Sequence, residues 1–423
     1  MITRISRRAF VAIMATWAAA ACQNVAASPA SDSHGLSRVA SSQAPDRSHA
    51  SLVRVERMSQ KLSAYRSLVS EVPFRDSMLS AQLVRDFSSF DAKVSTYPFS
   101  SFTTELPPVK FWINGVRVAS RGLMYSLATK ARGPLRTAEV DSDGNVQADN
   151  LLGSVVLVER GPIRFQKMVA DLAGQGAVAV VFYNHRPGLV YGTLLQPSRI
   201  PAVVISRETG QMLLSRIYGE SLNAIVDVDV APRSFQGLNL TALCAGASER
   251  RILVSTPADA VRGTIFNGYN LDGLVLMSEL IRWCSEQERR HTFEFNVFDG
   301  THSGYFGSRW HMGSVLRDKT DHIDAILTFD RPGTDMPVRI GATQTLADFL
   351  NRRVGPKFID LSVVADFGVG RGDHDVFAAK GVPFVFAERG LGPVENVERL
   401  NQSFEVLSAV LEAMDPMIRD ASA

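Results

Sequence analysis

Residues 295–308, Phe-Asn-Val-Phe-Asp-Gly-Thr-His-Ser-Gly-Tyr-Phe-Gly-Ser, constrain the fold of this 423-residue chain more than any other segment. The apolar run that ends at Phe298 predicts a buried strand, and the glycines that follow predict a tight loop. Across residues 226–423, strands of this kind alternate with helices, which is the pattern of a sheet covered by helices on both faces. The sequence therefore predicts an α/β fold with polar loop residues directly after a buried strand.

Apolar spacing places the main elements of this fold. Residues 52–90 have apolar positions at helical spacing, and Asn270 is the predicted N-cap of a helix that begins at Leu271. Strands are predicted at 91–99, Asn239–Cys244, Arg251–Ser255, Thr292–Phe298, Ala325–Asp330 and Pro383–Ala387, and further helices at Leu271–Cys284 and Glu398–Met414.

Residues 151–217 form a second predicted unit, with apolar strands at 153–161, 176–184 and 200–206 and a helix at 165–173. The segments Val-Val-Leu-Val-x-Arg-Gly, Gly-Ala-x-Ala-Val and Ile-Pro-Ala-Val-x-Ile-Ser-Arg-Glu resemble the protease-associated domain. The resemblance implies a small β-rich module that binds or shields rather than catalyses.

The segment at 295–308 resembles the loop of the zinc-dependent aminopeptidases, which reads Phe-Asp-Gly-Glu-Glu-x-Gly-x-x-Gly-Ser. The resemblance implies an α/β, three-layer zinc-exopeptidase-like sandwich with a mixed central sheet, into which a protease-associated domain is inserted. Residues 52–117 and 226–423 would form the aminopeptidase-like domain, and residues 118–225 the insert.

The family's catalytic positions differ in this chain. The resemblance implies two zinc ions at the carboxyl ends of parallel strands, but Thr301 and His302 stand where the general-base Glu and a ligating Glu are expected. The remaining substituted ligand positions are Pro257 for His, Tyr269 for the bridging Asp, and Leu391 for a late His. The family's Asp is kept at Asp330, and Asp259 is the Asp that orients a ligand.

A rebuilt site is the alternative to a lost one. His302 and His374 are its candidate catalytic groups, and Asp330, His302, Asp259 and Asp375 are its candidate metal ligands, with Asp299 nearby. Asp272 offers a carboxylate as well, although an acid in the first turn of a helix is favoured by the helix dipole alone. The competing interpretation is that these loop residues serve turn geometry and N-capping. Zinc is expected only if the site is rebuilt, and otherwise no cofactor.

Two functions follow from these alternatives. One is a binding scaffold for a peptide or protein ligand, and the other is an active metallo-hydrolase of the peptidase class. The chain has no Gly-x-Ser-x-Gly elbow and no His-Glu-x-x-His motif, which argues against a serine hydrolase and a metalloprotease of that type. No basic patch predicts nucleic-acid binding.

The first 27 residues are predicted to be an export signal. Ser6-Arg7-Arg8-Ala9-Phe10-Val11 resembles a twin-arginine motif, with ordinary secretion as the alternative, and residues 28–51 are predicted to be a disordered linker. Cys22 is a candidate lipid-attachment site, and the alternative is cleavage after Ala19-Ala20-Ala21 or after Val25-Ala26-Ala27. Loss of residues 1–27, which hold three arginines and no acid, changes the net charge from +2 to −1. We expect the mature protein in the periplasm or cell envelope, or secreted, with a membrane contact only through that lipid.

Cys244 and Cys284 are the cysteines outside the signal. An oxidising compartment permits a disulfide between them. Their positions at the ends of a strand and a helix favour separate buried thiols.

Overall fold

The computed structural model describes residues 47–69, 72–104, 108–141, 146–147, 150–160, 165–184, 194, 197–229, 232–259, 269–358, 361, 363–368, 371–390 and 396–417. The predicted signal, Cys22 and Leu391 lie outside the described residues, as does most of the predicted linker. Residues 47–51 of that linker instead begin the first helix. The chain divides into one unit at 1–47 and another at 48–423, and the description below concerns the second.

The α-helices of the described residues are α1 (Arg47–Ser67), α2 (Met78–Ser88), α3 (Phe165–Gly174), α4 (Arg207–Ile217), α5 (Leu271–Ser285), α6 (Phe306–Trp310), α7 (Gln344–Arg353), α8 (His374–Ala378) and α9 (Val397–Met417). Short turns of 3₁₀-helix lie at Phe74–Asp76 and Gly355–Lys357, and a π-helical turn lies at His311–Val315. None of the described helices is long and apolar enough to cross a bilayer.

The larger sheet is mixed, as predicted. Its strands are β1 (Lys93–Thr104), β11 (Pro232–Cys244), β12 (Ser248–Pro257), β13 (His291–Phe298), β14 (Ile323–Asp330), β15 (Arg339–Ala342), β16 (Val363–Ala365) and β17 (Phe384–Glu388). Their order in the described residues is β1-β11-β13-β12-β14-β17-β15-β16. The four central strands, β13, β12, β14 and β17, run parallel, so their carboxyl ends meet at one edge.

Apolar side chains cover both faces of this sheet. One face packs against α1, α2, α5, α7 and α9 around a core that includes Phe295 and Leu327. The other face packs Phe298 and Phe386 against Phe377 of α8 and Met312 of the π-helical turn. The layered α/β architecture expected from the resemblance is therefore present.

The second sheet forms a β-rich module, as expected for the insert. Its strands are β2 (Val109–Ile113), β3 (Val116–Val118), β4 (Arg121–Gly122), β5 (Lys130–Val140), β6 (Val146–Gln147), β7 (Val155–Glu159), β8 (Ala179–Tyr183), β9 (Ala202–Ile205) and β10 (Asn223–Val228). The described order is β3-β2-β10-β5-β7-β8-β9-β4, with β6 on β5. This sheet extends beyond the predicted 118–225 boundaries, because β2 pairs with β10 and brings β3 with it.

The predicted N-cap of α5 differs from the structure in its chemistry. Asn270 occupies the N-cap position, but its side chain accepts no N–H group of the helix; its Nδ2 donates to Thr256 Oγ1 over 3.0 Å and to the Pro257 carbonyl over 3.1 Å. The side chain therefore ties the start of α5 back to the end of β12. Gly273 is required beside it, because a Cβ there would lie 2.3 Å from Asn270 Nδ2.

Cys244 and Cys284 are free thiols, and both are buried. A hydrogen bond between the two side chains, together with burial, raises the pKa of the Cys244 thiol above its ordinary value. The same hydrogen bond and the nearby Arg289 guanidinium lower the pKa of Cys284, against the effect of its burial.

A buried histidine joins β13 to β14 and α9. His291 Nε2 lies 3.1 Å from Asp324 Oδ2, and His291 Nδ1 lies 3.1 Å from Asp415 Oδ1. Asp415 also accepts the backbone N–H groups of Arg290 and His291, and Arg250 binds Asp324 from the exposed side. An imidazole donates from both nitrogens only when it is protonated. The hydrogen bond between His291 and the Asp415 carboxylate accordingly raises the pKa of His291, although burial opposes this effect.

We therefore expect the stability that this contact contributes to be lost at high pH. A raised histidine pKa contributes stability that is complete below the unfolded value, about 6.5, and is lost as the pH rises through the folded value. Urea unfolding of the wild type and of His291→Gln between pH 5 and 9 measures this, and the variant should lose that part of the pH dependence. Substitution of the exposed His322 by Gln serves as the control, and an equal slope in the wild type and His291→Gln would refute the assignment.

Candidate functional site

The carboxyl ends of the four central parallel strands form one edge of the larger sheet. Pro257 on β12 pairs with Phe298 on β13, and Asp330 on β14 pairs with Glu388 on β17. Loops that leave these ends carry Asp259, His302 and other polar residues discussed below. Open α/β sheets place ligand sites at this edge, and the residues predicted from sequence lie here.

Asp259 holds the loop that follows β13. Its Oδ1 accepts the Thr301 N–H over 3.0 Å, and its Oδ2 accepts the His302 N–H over 3.1 Å. The ring Nδ1 of His302 lies 3.5 Å from the same Oδ2, which is an ion-pair distance without hydrogen-bond geometry. Both carboxylate oxygens of Asp259 therefore accept hydrogen bonds from the backbone of this loop.

The charge state of His302 is set by these neighbours. Burial lowers the pKa of the imidazole, but the Asp259 carboxylate and the charge of Asp330 outweigh it, so the pKa lies above its ordinary value. A quarter of the His302 side chain is exposed. His302 accordingly lies at the surface of the site, and its neighbours favour its protonated form.

Thr301 anchors a second carboxylate. Thr301 Oγ1 donates to Asp373 Oδ2 over 2.7 Å, and Ser308 Oγ donates to Asp373 Oδ1 over 2.6 Å. Asp373 is fully buried, and this burial raises its pKa to about 7 although both hydroxyl groups favour the ionised form. Thr301, at the position expected for a general base, thus serves as a hydrogen-bond donor to a buried acid.

The raised pKa of Asp373 predicts a pH effect on stability. The unfolded chain loses this proton near pH 3.9, whereas the folded chain keeps it until about pH 7. Stability should therefore fall between these values, by up to about 1.4 kcal/mol for each pH unit. Asp373→Asn cannot titrate and should flatten this slope in urea unfolding from pH 4 to pH 7, while Asp318→Asn on the surface should leave it unchanged. A slope that persists in Asp373→Asn would contradict the assignment.

His374 lies in the core rather than in the open edge. Its ring packs between Phe384 and Phe386, with centroid distances of 4.7 and 4.9 Å, and its Nε2 lies 3.1 Å from the Gly368 carbonyl oxygen. Asp375 accepts the Tyr305 hydroxyl over 3.3 Å. The structure therefore gives His374 packing and hydrogen-bond contacts inside the protein.

Arg331 occupies the middle of the acidic residues at this edge. Its Nε lies 3.1 Å from Asp330 Oδ2, and its Nη2 lies 3.3 Å from Glu388 Oε2. Its backbone has a φ of 48°, in the left-handed region that non-glycine residues adopt rarely. Burial lowers the pKa of the guanidinium, but Asp330, Glu388 and Asp272 outweigh it and keep the group charged.

Asp272 is the third acid beside Arg331. Its Oδ2 accepts the Gly333 N–H over 2.8 Å, and its Oδ1 accepts the Gly273 N–H over 3.0 Å. Burial raises the pKa of Asp272 to about 6, and the charge of Asp330 adds to that effect. Asp272 therefore stabilises the turn after β14 through backbone contacts, in addition to the helix-start role expected for it.

The inserted sheet contacts the loop after β13. The Tyr125 hydroxyl donates to the Ser303 carbonyl oxygen over 2.6 Å. Gly304, with a φ of 117°, lies against the same side chain, since a Cβ there would be 3.1 Å from the Tyr125 hydroxyl oxygen. The loop that carries His302 is therefore held from one side by Asp259 and from the other by the inserted module.

Comparisons with known proteins agree with this architecture. The PA domain model matches residues 125–213. The chain is 26% identical over 263 residues to a probable lipoprotein aminopeptidase of Mycobacterium tuberculosis, covering 59% of this chain and 51% of that protein. It is 25% identical over 229 residues to a probable leucine aminopeptidase 2 of Aspergillus fumigatus, covering 52% of this chain and 45% of that protein. The chain thus spans about half the length of the curated relatives it matches.

Solved structures extend the likeness to most of the chain. An aminopeptidase from Aneurinibacillus sp. strain AM-1 superposes with a TM-score of 0.63 at 21% identity, covering 84% of this chain and 93% of that one. A zinc aminopeptidase from Bacillus subtilis gives a TM-score of 0.58 at 15% identity, with 86% and 95% covered. This is the zinc-aminopeptidase fold with a PA domain.

Within the zinc-aminopeptidase fold, two substituted ligand positions have structural roles. Tyr269 is buried, stacks near the Phe74 ring at 6.3 Å, and donates its hydroxyl hydrogen to the Val72 carbonyl over 2.6 Å. Pro257 ends β12 and accepts from Asn270. The fourth substituted position, Leu391, lies outside the described residues.

The residues present do not fit the zinc pair that this fold implies. Zinc requires imidazole or carboxylate donors with free lone pairs directed at one point. Asp259 uses its oxygens on backbone N–H groups, and Asp330 and Glu388 face Arg331. Within the described ranges, no three His, Cys, Asp or Glu side chains converge as metal ligands would.

Sequence reasoning missed Glu388 and Arg371 at this site. Glu388 ends β17 and accepts Arg371 Nη1 over 2.8 Å, while only 2% of its side chain is exposed. The sequence did hold one indication of Glu388, because Glu388 and Arg389 are charged residues directly after a predicted buried strand. The partner Arg371 comes from a loop distant in sequence, so the pair was not visible without the fold.

Proposed function

We propose that this chain is an exported aminopeptidase-like protein that has lost catalysis and acts as a scaffold for a peptide or protein ligand. The observation that carries the proposal is the guanidinium of Arg331 among Asp330, Glu388 and Asp272. A fixed cation already neutralises the acids at this edge. A metal ion would have to displace that cation before it reached Asp330 or Glu388.

The loop after β13 supports the same proposal. A general base has to be an unencumbered acceptor within reach of a water molecule. Thr301 stands at the base position and donates to Asp373, and Asp259 is occupied by two backbone N–H groups. His302 is the remaining titratable group there, and its raised pKa favours the protonated form, which cannot accept a proton.

The competing function is an active metallo-hydrolase with a rebuilt site, which the names of the similar aminopeptidases favour. The deciding experiment loads the purified protein with zinc and manganese, removes free metal by dialysis, and measures bound metal by elemental analysis. Hydrolysis of leucine p-nitroanilide is followed on the same samples. We expect a metal stoichiometry near zero and no hydrolysis above the buffer rate.

One or more tightly bound ions per chain together with hydrolysis would overturn the scaffold proposal. In that event, Asp330→Ala combined with His302→Ala should abolish the activity. Asp318→Ala, on the surface, is the matched control. Activity that persists in the double variant would show a contaminating enzyme, and the scaffold proposal would then stand.

We propose further that export ends in the cell envelope through a lipid at Cys22, as the similar lipoprotein aminopeptidase suggests. Cells labelled with a radioactive or alkyne palmitate report acylation directly. We expect label on the wild type and none on Cys22→Ala, with Cys244→Ala as the control that keeps it. Unlabelled wild type in the soluble periplasmic fraction would instead favour simple cleavage after Ala21 or Ala27.

A further inference from the structure

Three strands bring a carboxylate and an arginine into register at the site edge. Glu388 on β17 pairs with Asp330 on β14 and, on its other side, with Arg339 on β15. Arg371 Nη1 donates to Glu388 Oε1 over 2.8 Å, and Arg339 Nη1 lies 3.8 Å from the same oxygen. With Arg331 on the other oxygen, three guanidinium groups surround one carboxylate.

The charges at this edge are arranged in two layers. The carboxylates lie inside, since the side chains of Asp330 and Glu388 are 6% and 2% exposed. The guanidinium groups lie outside, with side-chain exposures of 28% for Arg331, 44% for Arg371 and 56% for Arg339. The surface presented to a ligand is therefore positive, and the acids beneath it are already paired.

An aromatic ring holds the two outermost groups. The Phe367 ring lies 4.1 Å from the Arg339 guanidinium carbon and 5.1 Å from that of Arg371. Stacking on a ring face leaves the N–H edges of a guanidinium free for other acceptors. Both side chains are thus supported in place, with donors that Glu388 does not consume.

We propose that Arg339 and Arg371 bind the carboxylates of an acidic peptide. The inference rests on the proposed scaffold function and names the ligand class of that same edge. Guanidinium groups bind carboxylates through two parallel N–H bonds, which suits glutamate and aspartate side chains.

The test uses fluorescein-labelled hexaglutamate, with labelled hexaglutamine as its uncharged counterpart. Fluorescence anisotropy with the full-length mature protein should show binding of hexaglutamate and at least tenfold weaker binding of hexaglutamine. The substitutions Arg371→Gln and Arg339→Gln should each weaken hexaglutamate binding about tenfold, which corresponds to one lost charge-assisted contact of about 1.4 kcal/mol. Arg352→Gln on the exposed end of α7 should leave it unchanged.

Equal binding of both peptides, or equal affinity in all three variants, would overturn the inference. Competition with inorganic phosphate at constant ionic strength distinguishes a peptide ligand from a small oxyanion. Full displacement of hexaglutamate by micromolar phosphate would assign the surface to small oxyanions and refute the peptide ligand. Arg339→Gln keeps the test valid if Arg371→Gln fails to fold, because Arg339 makes no short bond to Glu388. Metal binding and hydrolysis are measured separately, so failure of the scaffold function would be recognised independently.

Discussion

Replacing Arg331 with methionine is expected to lower the free energy of unfolding by about 3 to 5 kcal/mol, because removing one partner of a buried ion pair leaves the other charges uncompensated. Asp330 and Glu388 are paired residues on adjacent strands, and Asp272 lies close to both Arg331 and Asp330. Without the guanidinium, Asp330 and Asp272 would lose their cation in a largely water-excluded space, while Glu388 would keep Arg371 and Arg339. Chemical denaturation at pH 7 measures the effect.

The loss in Arg331→Met should also depend on pH. Without their cation, the carboxyl groups gain raised pKa values, and stability then falls as the pH rises above the unfolded value of about 4. We expect the difference from wild type to be smaller at pH 5 than at pH 8.

Two matched variants separate charge from packing. Arg331→Lys keeps the charge and should retain part of the stability, whereas Arg352→Met on the surface should change it by less than about 0.5 kcal/mol. If Arg331→Met were as stable as the wild type at pH 8, the guanidinium would not be compensating these acids, and the main support for the scaffold proposal would be lost.

The second large effect concerns the loop after β13. Asp259→Ala should destabilise the fold by about 2 to 3 kcal/mol, because the N–H groups of Thr301 and His302 lose their acceptor. The pKa of His302 should fall at the same time. Burial, which lowers it, would no longer be opposed by the Asp259 carboxylate.

A proton NMR titration of the His302 imidazole measures the second effect. Asp259→Asn retains one acceptor oxygen for the backbone but removes the charge, so we expect a smaller loss of stability with a similar fall in the His302 pKa. An unchanged His302 pKa in both variants would show that another group holds its proton, and the ion pair described here would not govern the loop.

Residue periodicity alone determined much of the larger sheet. The strands predicted at Thr292–Phe298 and Ala325–Asp330 match β13 and β14 to within a few residues, because both are continuous apolar runs that a sheet buries on two faces. The inserted module was visible for the same reason, since β7 is buried along Val155–Val158. The pairing of β2 with β10, which lies far away in sequence, became visible only in the folded structure.

For the candidate site as well, some features followed from the sequence and others required the folded structure. The sequence identified Asp259, His302 and Asp330 as residues of one edge, because each follows a predicted strand and the ends of parallel strands meet. The sequence could not show that the Asp259 carboxylate accepts two backbone N–H groups, or that His374 packs between phenylalanine rings. It also did not show that Glu388 collects arginines from three separate segments. Local pattern fixes which residues reach an edge, whereas the charge and hydrogen-bond state of each depends on neighbours that only tertiary folding brings within a few ångströms.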